Sequence, residues 1–144
     1  MTEPLHITFI VERDSWITSN SRLHWAKKAA AVASLRGCAY LLGRTVLEAA
    51  RVPRKACPVW TREKPCRVTV AVGMPTRRRF DLTNVEPTVK PLIDGLVEAG
   101  FFEDDDSQVI REVMFVQADE KPPVRGSYIL RFTIEDATAG EVQA

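Results

Sequence analysis

Asp81-Leu82-Thr83-Asn84 is followed by Lys90-Pro91-Leu92-Ile93-Asp94-Gly95-Leu96 and then by Asp104-Asp105-Asp106. Acidic side chains before and after a short apolar helix, with a lysine on its first turn, can fold together into a site for a hard cation. Magnesium takes oxygen ligands in octahedral geometry, keeps several waters and binds through a few carboxylates plus substrate phosphate. Asp81 at a strand end and one or two of Asp104, Asp105 and Asp106 could supply those carboxylates, because the chain after Gly100 can run back along the helix it has just left. That combination points to metal-dependent phosphodiester chemistry. The bland alternatives are a solvated acidic loop and, for Asp81, an aspartate capping a turn.

Lys90 could hold the scissile phosphate or stabilise charge developing in the transition state, since an ammonium is a compact point charge. It also stands four residues from Asp94, where a helix-surface pair contributes only about 0.3–0.5 kcal/mol. The two roles are compatible. Asn84 could orient Asp81, contact phosphate or serve the turn itself. Arg77, Arg78 and Arg79 lead directly into this segment and could grip phosphates flanking a cut, although a charge run also suits a solvated face. His24 could contact phosphate, whereas Trp25 suits a core or an interface better than a base-stacking platform. His6 and His24 are the only histidines, and no G-x-S-x-G or Walker pattern occurs, so neither a nucleophilic triad nor a phosphate-cradling loop is expected.

The elements that must position these groups can be read from pattern. His6 to Glu12 alternates as a strand. About Arg22 to Ala50 is one long helix, with Leu23, Ala26, Ala30, Ala33, Tyr40, Leu41 and Leu47 at near-helical spacing and Gly37 or Gly43 as places for a bend. Arg51 to Pro65, with three prolines, is expected to be an irregular and mobile connection. Cys66 to Met74 is a strand of strong β-formers. About Thr88 to Ala99 is a second helix, with Pro91 in its first turn and Gly100 as its stop. Val109 to Gln117 and Tyr128 to Glu135 are two further strands, and the tail from Ala137 is expected to be disordered. The order β-α-β-α-β-β predicts an α+β fold, one domain over residues 1–136 with a mixed sheet packed by two helices.

Composition bounds the function. A chain of 144 residues with 45% hydrophobic and 27% charged residues is ordinary globular material for one core. No apolar run is long enough to span a bilayer or to act as a secretory signal, so a cytoplasmic protein without a membrane partner is expected. Net charge is only +1, but basic residues crowd at Arg22, Lys27 and Lys28, at Arg51, Arg54 and Lys55, and at Arg77 to Arg79, whereas acid concentrates from Glu98 to Asp106. Positive surface around a negative pocket suits a metal nuclease. Cys38, Cys57 and Cys66 are odd in number and lack zinc-site spacing, so free thiols are expected, Cys38 in the core.

These residues resemble the RusA-like Holliday junction resolvases, especially the branch found in phages and actinobacteria. The resemblance rests on R-x-D-x-x-N at Arg79, Asp81 and Asn84, P-T-V-K at Pro87 to Lys90, I-D-G-L-V-x-A-G at Ile93 to Gly100, the acidic cluster after it, and an N-terminal S-N-x-R-L-H-W run from Ser19. It implies a homodimeric α+β endonuclease that binds four-way DNA junctions and cuts paired strands with Mg²⁺, Mn²⁺ being a possible substitute. By the same resemblance Asp81, Lys90 and Asp105 would be catalytic, and Asp81 with Asp104, Asp105 or Asp106 would hold the metal. Arg77, Arg78, Arg79, Asn84, Asn20 and Lys27 would contact DNA. The family's second acidic residue falls on Thr83 here, which leaves room for a non-catalytic junction-binding dimer descended from such an enzyme.

Overall fold

Strict alternation in the strands puts one apolar row inward. The computed structural model describes residues 3–76 and 80–137, and its elements are β1 (Leu5–Val11), α1 (Trp25–Ala49), β2 (Cys66–Gly73), α2 (Glu86–Ala99), β3 (Ile110–Gln117) and β4 (Tyr128–Asp136). Ile7 and Phe9 of β1, Val68, Val70 and Val72 of β2, and Leu130, Phe132 and Ile134 of β4 are buried in one core with Leu92 and Leu96 of α2. The fold is a single α+β domain in the β-α-β-α-β-β order, with four strands arranged β1-β4-β2-β3.

β4 runs antiparallel to both β1 and β2, while β2 and β3 are parallel. Parallel neighbours need a crossover, and α2 is that crossover. It follows that everything between Met74 and Val109, including the acidic candidates, belongs to one β-α-β unit.

α1 packs mainly on α2. Its buried line is Ala31, Leu35, Ala39, Gly43 and Leu47, whereas Leu23 and Leu41 of the expected apolar stripe are exposed. Alanine on most sides of α1 fits either face, so periodicity alone could not orient it. Gly43 is a packing residue here: a Cβ on it would stand 2.9 Å from both Ala99 Cβ and Leu96 Cδ2. Gly95 is tighter still, since a Cβ there would meet the Arg36 carbonyl oxygen at 2.3 Å. Arg36 Nε also donates to Glu98 Oε1 at 2.9 Å across the helix pair.

Four expectations change. Cys38 is exposed on the outer side of α1 and not in the core, and Trp25, 77% exposed, is also outside the core, which leaves its interface alternative. α1 begins at Trp25, where His24 Nδ1 accepts from the Ala26 amide at 3.2 Å as an N-cap. α2 begins at Glu86, so Pro87 occupies the first turn and Pro91 lies inside the helix. The connection over residues 51–65 is irregular but anchored: Trp60 is fully buried, pairs as a bridge with Phe102, and donates Nε1 to Asp136 Oδ1 at 2.7 Å. The expected free thiols are found, and burial pushes Cys66 up to about 12. Residues 138–144 of the tail and Arg77, Arg78 and Arg79 lie outside the described residues.

Candidate active site

After β2 the chain enters a 3-10 turn, Leu82–Val85, and Asp81 caps it. Asp81 Oδ1 accepts the Thr83 amide at 3.0 Å and the Thr83 hydroxyl at 2.8 Å. These two donors hold the Asp81 carboxyl below the usual carboxylate range, so it is ionised at neutral pH. Asp81 is exposed, and among the described residues its other oxygen takes no hydrogen bond. The capping role expected as the bland alternative is therefore real, and it engages one of the two carboxylate oxygens.

The turn passes directly into α2, whose N-terminal end is bolted down by Thr88. Its buried hydroxyl donates to the Ile17 carbonyl at 2.6 Å and accepts the Ile17 amide at 2.8 Å. Two residues on, Lys90 projects from α2 and donates Nζ to Asp94 Oδ1 at 2.7 Å and also to Asp105 Oδ2. Partial burial pulls the Lys90 ammonium down, but Asp105 and Asp94 outweigh it and hold its pKa above the ordinary value. The Lys90 hydrogen bond in turn holds Asp105 low against its own partial burial.

Asp105 reaches Lys90 because the chain turns sharply after α2. Gly100 takes the left-handed conformation, φ 104°, that ends the helix, and its amide donates to Leu96 and Val97 carbonyls. Phe101 and Phe102 then sink into the core, and the Trp60 strand edge clamps them through Trp60 N to Phe101 O at 2.9 Å and Glu103 N to Trp60 O at 2.9 Å. The return along α2 expected from the sequence is present, and a segment outside the acidic motif enforces it.

The three aspartates divide their work. Asp104 Oδ1 accepts the Asp105 amide at 2.7 Å, fixing the backbone that presents Asp105. Asp106 faces elsewhere: Oδ1 accepts the Gln108 amide at 2.9 Å and the Val109 amide at 3.3 Å, and Oδ2 pairs with Arg62 Nη2 at 3.2 Å. The Arg62 hydrogen bond leads the causes that lower its pKa. Asn84 is half-buried, and Asn20 and Lys27 are exposed near the start of α1.

Lys90, Asp94, Asp105 and Asp104 thus form one contiguous set. Among the described residues no three Asp, Glu, His or Cys side chains make a group that could hold a metal. Asp105 is engaged by an ammonium and Asp106 by a guanidinium. The donors nevertheless suit a hard cation: they are carboxylate oxygens, Asp81 and Asp105 both held below the usual carboxylate range, and magnesium needs only one or two of them beside water and phosphate. Sequence reasoning treated Asp94 only as a surface partner and missed Thr88, Arg62 and Trp60. Their contribution comes from contacts distant along the chain, for which local pattern carries no signal.

No protein-family model matches the chain, and no curated protein matches it.

Proposed function

We propose that this protein is a structure-selective endodeoxyribonuclease of the RusA-like kind, which resolves four-way DNA junctions by Mg²⁺-dependent phosphodiester hydrolysis and works as a homodimer. The observation that carries it is the Lys90 ammonium held by Asp105 and Asp94, on the helix that directly follows Asp81. A lysine set between two carboxylates on different segments is a cation placed where a second anion, the scissile phosphate, can exchange with one of them.

In this reading one or two carboxylates, Asp81 and Asp105, would hold the metal, with water and the substrate phosphate completing its shell. Asp106 serves the Arg62 turn that shapes the loop. Bound there, Mg²⁺ would supply positive charge to the phosphate and make water a better nucleophile. Lys90 would neutralise charge developing on the phosphate oxygens, Asp94 would keep Lys90 protonated and aimed, and Thr83 would fix the Asp81 carboxylate. Arg77, Arg78, Arg79, Asn84, Asn20 and Lys27 would position the DNA backbone. Two copies related by a two-fold axis would present matched sites to the paired strands of a junction. Action on DNA would place the protein in the cytoplasm. No helix among the described residues is long and apolar enough to cross a membrane.

A second reading, a non-catalytic junction-binding dimer, is favoured by Thr83 standing where the family carries a carboxylate. Incubation with a synthetic four-way junction, linear duplex and mononucleotides in Mg²⁺ separates the two. Symmetric nicking of the junction alone supports the enzyme, and tight junction binding without nicking supports the binding dimer. A monomer at working concentration contradicts both.

A further inference from the structure

The segment after β1 and the first turns of α1 line a half-open cleft of about 540 Å³ that combines Arg13 and Lys27 with Trp16, Leu23 and Ala30. We propose that this cleft is a seat for one nucleotide unit, with the phosphate between Arg13 and Lys27 and the base against Leu23 and the small part of Trp16 left accessible. Its volume is within the range of roughly 300–1,000 Å³ typical of small-ligand sites.

Charge points to an anion. Arg13 and Lys27, like most cations of the chain, have no ion pair among the described residues, so neither charge is neutralised within the cleft except by Asp14. Asp14 is the single carboxylate of the lining, so the cavity keeps one net positive charge for a phosphate. The same carboxylate, an acceptor only, can take a proton donor from a base edge.

The apolar wall points to a flat group attached to that anion. Trp16 is stacked parallel on Tyr128, with ring centroids 3.8 Å apart and planes 4° from parallel, and is 9% exposed, so it forms a fixed apolar floor of the cleft rather than an open face. Leu23 is 40% exposed beside it, an apolar surface otherwise left to water. An inorganic anion would leave this half of the lining unused.

Position ties the cavity to the candidate active site. The Trp16 ring lies 6.4 Å from that of Phe80, the neighbour of Asp81, and the next residue, Ile17, makes both hydrogen bonds with Thr88 at the N-terminal end of α2. One short segment therefore contacts both stretches that carry Asp81 and Lys90. Assigning the seated unit to DNA beside the cut rests on the function proposed above, whereas occupancy by a nucleotide does not.

The full chain is titrated with deoxyadenosine 5′-monophosphate, inorganic phosphate and deoxyadenosine, following amide and indole resonances by NMR. The expected result is saturable shifts centred on Trp16, Lys27 and Ala30 with the nucleotide, and binding about tenfold or more weaker for phosphate or nucleoside alone. Ala30→Phe fills the cavity from an exposed helix position and should abolish the shifts, and so should Arg13→Glu. Phosphate binding as tightly as the nucleotide, shifts centred elsewhere, or undiminished binding in a folded Ala30→Phe or Arg13→Glu chain overturns the proposal. Junction nicking by the same preparation is read separately: nicking without nucleotide binding removes the cavity assignment alone, and nucleotide binding without nicking removes the nuclease reading alone.

Discussion

Thr83 donates its amide and its hydroxyl to the same oxygen of Asp81, at 3.0 and 2.8 Å. Thr83, which the RusA-like resemblance would align with a carboxylate, therefore acts on Asp81, fixing its rotamer and lowering its pKa. Thr83→Asp would replace that donor with a second anionic oxygen facing the same space. The expected outcome is a lower Mg²⁺ concentration for half-maximal junction cleavage, because a further oxygen ligand is gained. A metal titration at fixed pH decides it. An unchanged or raised requirement means that the acidic cluster already supplies the missing ligand, with like charges within about 4–6 Å opposing one another.

Lys90→Met keeps the aliphatic stem and removes the ammonium. Cleavage should fall by about 10²-fold or more, the scale of losing one charge-stabilising donor, while folding persists because the Lys90 pairs are half exposed. Single-turnover rates on a four-way junction measure this. A rate within a factor of about three of the parent would reduce Lys90 to a surface ion pair.

The same variant gives a pH test independent of activity. Asp105 is held below its ordinary value of 3.8, so its contribution to stability is present above that value and is lost as pH falls through the folded-state pKa. Lys90 is held above its ordinary 10.5, so its part is complete below that value and is lost only at higher pH. The difference in urea midpoint between parent and Lys90→Met should therefore be flat from pH 5 to 9, worth about 0.2–1 kcal/mol, and should shrink below about pH 4. A difference that grows on acidification contradicts the pairing.

Gly95→Ala tests the helix contact that fixes α2. Helix propensity alone would favour alanine by about 1 kcal/mol. The new Cβ, however, would stand 2.3 Å from the Arg36 carbonyl oxygen and 2.7 Å from Ala39 Cβ, so net destabilisation of about 1–3 kcal/mol is expected from chemical denaturation. A neutral or stabilising effect would show that α1 and α2 do not approach so closely.

Strand and helix order were legible because the alternation in Cys66–Gly73 and Tyr128–Asp136 and the stripe of α2 report burial directly. The face of α1 was not, since its alanines accept any environment. The start of α2 was misplaced because Pro91 resembles a first-turn proline when Pro87 is not yet known to take that role. Within the site, Lys90 and Asp94 followed from spacing, and the return of Asp105 followed from Gly100. The separation of Asp105 from Asp106 did not. It depends on Arg62, 44 residues away from Asp106, and on the Trp60 clamp, neither of which leaves a mark near the acidic run.

The most direct measurement is nicking of a four-way junction with Mg²⁺, comparing parent with Asp81→Asn and reading junction binding in the same preparation. The substitution keeps the side chain's shape and an oxygen to accept from Thr83, and removes one negative charge. The expected result is symmetric, Mg²⁺-dependent nicking by the parent and loss of nicking by Asp81→Asn, with junction affinity unchanged or raised as electrostatic repulsion falls. Nicking by Asp81→Asn within about tenfold of the parent, a barrier change of only about 1.4 kcal/mol, would contradict the assignment of Asp81, and a parent that leaves the junction intact in Mg²⁺ and Mn²⁺ would contradict the nuclease itself.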